Sequence, residues 1–178
     1  MTRVFQQLLA IGILAFANQL AFGQSAIEKY GEPLEPLSPT VTFDCTFEMH
    51  SEPLSFDALG SSLNMPNGFE LDSEDDGATW LSWKVLLKGK GDKHIEAPYA
   101  KIHIGKYELD TLSGFLSEFQ LVAGPETNNL AASVYLRPPQ PKDMSGTYWV
   151  FFLSGDDFLK VITYDPIDWS SLLPCFTG

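Results

Sequence analysis

Apolar and polar positions divide this chain into short stretches of period two, each bounded by Gly, Pro, Asn or Asp. The strongest is Tyr148–Leu153, apolar without a break, followed by Ser154-Gly155-Asp156-Asp157 and by Phe158, Leu159, Val161 and Ile162 with Lys160 and Thr163 interleaved. That pattern predicts a β-hairpin. Its first strand, apolar at successive positions, needs cover on both faces and so belongs in mid-sheet.

Other stretches alternate. Val41, Phe43, Cys45, Phe47 and Met49 alternate with polar residues, which predicts a strand with one buried face. Thr79–Lys88 places Leu81, Trp83, Val85 and Leu87 on one face, and Trp80 and Leu86 on the other with Ser82, Lys84 and Lys88. His94–Ile104 returns, with Pro98 demoting its first part to an edge or a bulge. Leu130–Leu136 is read as a further strand, and Phe69–Leu71 is a candidate short one. Leu112–Val122 fits both periods; Gly114 weakens a helix, and the segment is read as strand from Ser117. Ser51–Gly60 is read as a short helix capped by Ser51, with Pro53 in its first turn and Gly60 at its end, and Ser61–Gly68 as loop. Asp165-Pro166 opens a helical turn reaching Leu172.

About eight strands and one or two short helical turns predict an all-β fold, an antiparallel β-sandwich, jelly-roll-like or related. An eight-stranded outer-membrane barrel shares the length, but twelve prolines, two cysteines and a hairpin apolar on both faces argue against it.

The ends alter this picture. Arg3, the apolar run Leu8–Ala17 and the small residues Ala21 and Gly23 predict a secretory signal peptide over 1–23. The run is too short to span a bilayer, so no membrane span is expected after cleavage. Residues 24–40 carry Pro33, Pro36 and Pro39 at the polyproline II period, an extended arm before a single domain over 41–178. Export, periplasmic or extracellular, makes Cys45 and Cys175 a disulfide pair that closes most of the chain into one loop.

Charge and chemistry narrow the function classes. The formal net charge is −12, and removal of Arg3 makes it more negative. Such a chain is a poor partner for nucleic acid or anionic membranes. Asp72-Ser73-Glu74-Asp75-Asp76-Gly77 resembles the start of a calcium loop, but position three is Glu and position twelve, normally a bidentate Glu, is Trp83. No cofactor is expected, with calcium the single candidate. His94 and Glu96 share a strand face without a clear second histidine among His50 and His103, and no nucleophile elbow occurs.

Two features remain. Lys84, Lys88, Lys90, Lys93, Lys101 and Lys106 crowd one stretch just after Glu70, Asp72, Glu74, Asp75 and Asp76. Trp80 shares its strand face with Lys84 and Lys88, the placement by which sheet-borne indoles stack on sugar rings. The sequence therefore points to an exported, non-catalytic binding module, with carbohydrate as first ligand class and Trp80, Lys84 and Lys88 as the contact residues. Another exported protein, bound by the arm and edge strands in the manner of an inhibitor or an envelope component, is the alternative. A hydrolase or lyase on the same fold is the third, with no carboxylate pair singled out.

Overall fold

A computed structural model describes residues 32–35, 37–46, 54–75, 78–88, 93–107, 114–140 and 146–177. The elements in chain order are β1 (Glu32–Pro33), β2 (Ser55–Ala58), β3 (Ser61–Asn64), β4 (Phe69–Asp75), β5 (Ala78–Lys88), β6 (His94–Lys106), β7 (Gln120–Ala123), a 3₁₀ turn (Pro125–Thr127), β8 (Ser133–Arg137), β9 (Tyr148–Ser154), β10 (Asp157–Thr163), a 3₁₀ helix (Trp169–Cys175) and β11 (Phe176–Thr177). The segment expected to be a signal peptide, 1–23, and most of the Pro-rich arm lie outside the described residues.

The strands form a large antiparallel sheet, ordered β1-β5-β6-β10-β9-β8-β7 with β4 also on β5, and a small one, ordered β11-β3-β2. The hairpin of β9 and β10 is in the middle of the large sheet. Gly155, at φ +58°, occupies the first position of the two-residue turn that fixes its register, Asp157 opposite Ser154. Successive residues of β9 point to opposite faces, and both are covered: Val150 and Phe152 on one side and Phe151 on the other are fully buried.

The inner face carries two rows set by the register. Leu81, Ile102, Val161 and Val150 form one; Ile104, Leu159, Phe152 and Val134 form the next. The small sheet contributes Phe56, Ala58, Leu63 and Phe176 to the same core, and the 3₁₀ helix contributes Leu172 and Cys175. The fold is a β-sandwich of unequal sheets.

The two chain ends are tied together on this inner side. Val41 N–H donates to the Pro166 carbonyl, Asp168 N–H to the Val41 carbonyl, and Phe43 N–H to Ser171 Oγ, at 2.8, 2.9 and 2.9 Å. Cys45 and Cys175 form a disulfide with their Cα atoms 5.2 Å apart.

Several expectations are corrected. Val41–Met49 keeps its alternation only as far as Cys45; it is an extended lead joined to the sheet system by one bridge, Val41 to Ile167, because its backbone groups are taken by the C-terminal segment. Phe47–Met49 lie outside the described residues. Ser51–Gly60 is not a helix where it is described. Ser55–Ala58 and Ser61–Asn64 pair as a hairpin, with Leu59 at φ +56° and Gly60 at +74° in its two-residue turn. Phe56 and Ala58 are buried between exposed Ser55 and Asp57, a period of two that tertiary pairing enforces over the cap-and-stop signals. Residues 114–116 make a helical turn, and the strand of this region starts at Gln120. Asp72–Asp75 belongs to β4 rather than to a loop, while residues 76 and 77 lie outside the described set.

Among the described residues no helix is long and apolar enough to cross a membrane.

Candidate functional site

The outer face of the large sheet is built from the complementary rows of the same ladder. Trp80, His103, Lys160, Phe151 and Tyr135 are register partners across β5, β6, β10, β9 and β8. Ser82, Lys101, Ile162, Trp149 and Arg137 form the adjacent row. Partnered residues share a face, so ten side chains from five strands face the same way.

This face is divided in two. At one end Tyr107, Phe115, Leu116 and Phe119 fold over Phe151 and Phe158 and make a second, smaller core. The ring of Phe158 lies against Gly105, where a Cβ would approach its atoms to 3.0 Å. The remaining part carries the half-buried Trp80, Lys101, Lys160, Trp149 and Ile162.

Aromatic and cationic groups alternate across that part. Trp80 stacks on His103 with centroids 3.8 Å apart and planes 7° from parallel. The ammonium of Lys160 lies 5.4 Å from the Trp80 centroid and 5.2 Å from that of Trp149. Lys101 Nζ is 5.9 Å from Trp80, and the Arg137 guanidinium is 5.0 Å from Trp149. Each contact falls within cation–π range. Trp149 Nε1–H donates to Thr147 Oγ1 at 2.8 Å, which fixes the indole.

Most cations on this face have a carboxylate. Lys84 pairs with Glu70, Lys101 with Asp72 at 3.5 Å, and Arg137 with Glu118 at 3.3 Å. The hydrogen bond that Lys84 donates to Glu70 also raises the Lys84 pKa above its ordinary value. Lys160, in the middle, has no carboxylate within ion-pairing distance among the described residues. Burial holds its pKa below the usual lysine value. Burial, and after it the charge of Lys160, pushes His103 down to about 4. His103 Nδ1 and Ser82 Oγ are buried without a hydrogen-bond partner among the described residues. The region thus holds one half-buried ammonium with no carboxylate in ion-pairing distance among the described residues, a neutral imidazole and two indoles.

Trp80 lies on this face as the alternation of its strand requires, stacked on one side and half-buried. Lys84 is on the same face, but its ammonium is engaged by Glu70. Lys88 is exposed at the end of β5, opposite His94 in β6 and Glu32 in β1. The cations over Trp80 are those of Lys101 and Lys160. Sequence reasoning missed His103 and Lys160 as neighbours of Trp80, and Trp149 and Arg137 as further members of the same face. One signal was legible: the turn at Ser154–Asp157 sets Lys160 opposite Phe151 and Ile162 opposite Trp149, which brings Lys160 diagonally beside Trp149. The approach of Trp80 was not, because it requires β10 to pair with β6, two non-consecutive strands.

His94 and Glu96 are exposed on β6, and no group of three His, Cys, Asp or Glu side chains is placed to hold a metal among the described residues. A concavity of about 630 Å³ opens elsewhere, at the mouth between the sheets, lined by Asp57, Ser61, Ser62, Lys106 and Asp157 among others.

The depressed His103 value has a measurable consequence. Above pH 4 the folded imidazole stays neutral, whereas an unfolded histidine takes a proton near pH 6.5. Between these values the unfolded state binds the extra proton, so stability falls as pH drops from 6.5 to 4. The charged groups facing the ring are Lys160 from β10 and Lys101 from its own strand; Trp80 and Phe158 are the uncharged neighbours. After discounting for partial exposure, the loss is about 1–2 kcal/mol. His103→Phe keeps a ring against Trp80 and removes the titration. Its unfolding free energy, followed in urea from pH 7 to 4, should fall less than that of the unaltered protein. Parallel curves would show that His103 is not held neutral.

No family model, curated protein or solved structure matches this chain.

Proposed function

We propose that the protein is an exported, non-catalytic binding module whose ligand is a carbohydrate held on the outer face of the large sheet. The observation that carries this reading is the pair of half-buried indoles, Trp80 and Trp149, with one ammonium between them. An indole on a rigid sheet offers a flat apolar surface to the C–H face of a pyranose, while adjacent ammonium groups and imidazole offer polar contacts to its rim. Five strands fix these side chains, so little ordering accompanies binding. The expected export of the chain places it where polysaccharides occur.

The test is calorimetric titration with a panel of neutral and acidic oligosaccharides against the unaltered protein and Trp80→Ala. Affinity for the bound sugar should fall tenfold or more, as for an aromatic anchor at the centre of a contact. Binding that survives Trp80→Ala unchanged, or no binding by any sugar, would remove this reading.

A protein partner is the second reading, favoured by β7. This four-residue edge strand leaves Leu121 55% and Val122 37% exposed. An extended peptide could add to it by backbone hydrogen bonding. Leu121→Lys with Val122→Lys should then abolish co-purification of that partner while sugar affinity stays constant; unaltered co-purification would exclude the edge.

A further inference from the structure

We infer that the carbohydrate recognised on this face is acidic, and that its carboxylate binds beside the ammonium of Lys160 between Trp80 and Trp149. This rests on the carbohydrate reading above and adds the ligand's charge to it.

The chain has 23 acidic residues against 11 lysines and arginines, so carboxylates are abundant. On either side of Lys160 they are used: Lys101 has Asp72 and Arg137 has Glu118. The central cation, Lys160, with an indole on either side, has none within ion-pairing distance among the described residues. A desolvated ammonium is costly unless something offsets it. Two indoles at 5.4 and 5.2 Å offset part of that cost and leave the hydrogen-bonding capacity of the ammonium to an outside group. His103 cannot add positive charge, because it is held neutral, nor does it supply an anion.

The geometry suits a sugar carboxylate. In a uronate the carboxylate projects from the edge of the pyranose ring. A ring stacked on one indole therefore directs that group sideways, toward an ammonium about 5 Å from the indole centroid. The contact would be a charge-assisted hydrogen bond in a partly desolvated setting, stronger than a neutral one. The net charge of −12 argues against a densely sulfated polyanion, which the whole molecule would repel. It favours recognition of single uronate units by one local cation. Salt should then weaken binding little, since it screens the general repulsion as well as the local attraction.

The test uses tetrasaccharides of galacturonate, glucuronate and mannuronate, each paired with its full methyl ester. The ester keeps the ring and removes the charge. Titrations are run on the unaltered protein, Lys160→Met and Lys160→Arg, with melting curves to establish that both variants fold. The expected result is that one acid binds at least tenfold tighter than its own ester. Lys160→Met should reduce that acid to the affinity of its ester, and Lys160→Arg should restore most of the preference. Acid and ester binding equally, or neutral sugars alone binding, would overturn the inference while leaving the carbohydrate reading in place. No binding by any member would overturn the inference, and the carbohydrate reading with it if the neutral oligosaccharides of the first panel fail as well. A preference for the acid that persists in Lys160→Met would assign the charge recognition elsewhere and overturn the role of Lys160.

Discussion

Replacement of Cys45 and Cys175 by serine is expected to lower the unfolding free energy by about 3–5 kcal/mol. The bond closes a loop of 130 positions, so breaking it returns a large conformational freedom to the unfolded chain. It also fastens weak elements. The lead from Val41 to Cys45 belongs to no ladder and is held to the C-terminal segment by two backbone hydrogen bonds and one from Phe43 N–H to Ser171 Oγ. Cys175 is fully buried at the end of the 3₁₀ helix, next to β11, whose two residues pair with β3. Without the bond, lead, helix and small sheet should loosen together. Urea unfolding of the oxidised protein and the double serine variant measures the difference. A loss below about 1 kcal/mol would mean that hydrogen bonds and packing already hold the two ends.

Phe151→Ala is expected to cost as much as Phe152→Ala, about 3–5 kcal/mol each. The two residues are adjacent in β9 and point to opposite faces, and both are fully buried. Phe152 lies in the main core between the sheets. Phe151 lies under Tyr107, Phe115 and Phe119 and stacks on Phe158 with centroids 5.3 Å apart. On a solvent-facing surface its truncation would cost well under 1 kcal/mol. Since the residues share few packing partners, the double variant should lose nearly the sum of the single losses. Equilibrium unfolding of the three variants decides this. A mild Phe151→Ala would contradict the second core, and with it the buttress at one end of the Trp80–Trp149 surface.

The sequence showed the large sheet more clearly than the small one, for a physical reason. Tyr148–Leu153 is apolar at every position because two cores claim its two faces, and that demand is visible in a single run of residues. The face assignment of Trp80, Ser82, Lys84 and Lys88 was visible too, because alternation in a long strand needs no knowledge of its neighbours. The small sheet has strands of four, four and two residues. Ser61, Ser62 and Asn64 surround its one fully buried residue in β3, Leu63, so the stretch has the composition of a loop. Ser55–Ala58 is equally short, and Gly60, read as a helix stop, instead completes the two-residue turn of its hairpin. The outer-face cluster depends on which strands lie side by side. Lys160 looks like a polar interruption of a hairpin until β6 and β5 are placed beside β10, an arrangement that long-range pairing alone creates.

The most direct test of the account is the response of the indole N–H signals in a two-dimensional NMR spectrum to a saturating uronate tetrasaccharide. The chain has four tryptophans, and the fold sorts them into two pairs. Trp80 and Trp149 lie on the outer face, whereas Trp83 and Trp169 pack against the core between the sheets. Shifts confined to Trp80 and Trp149 are the expected result. Shifts at Trp83 or Trp169, or perturbation restricted to the mouth at Asp57–Ser62, would place the ligand elsewhere and contradict it.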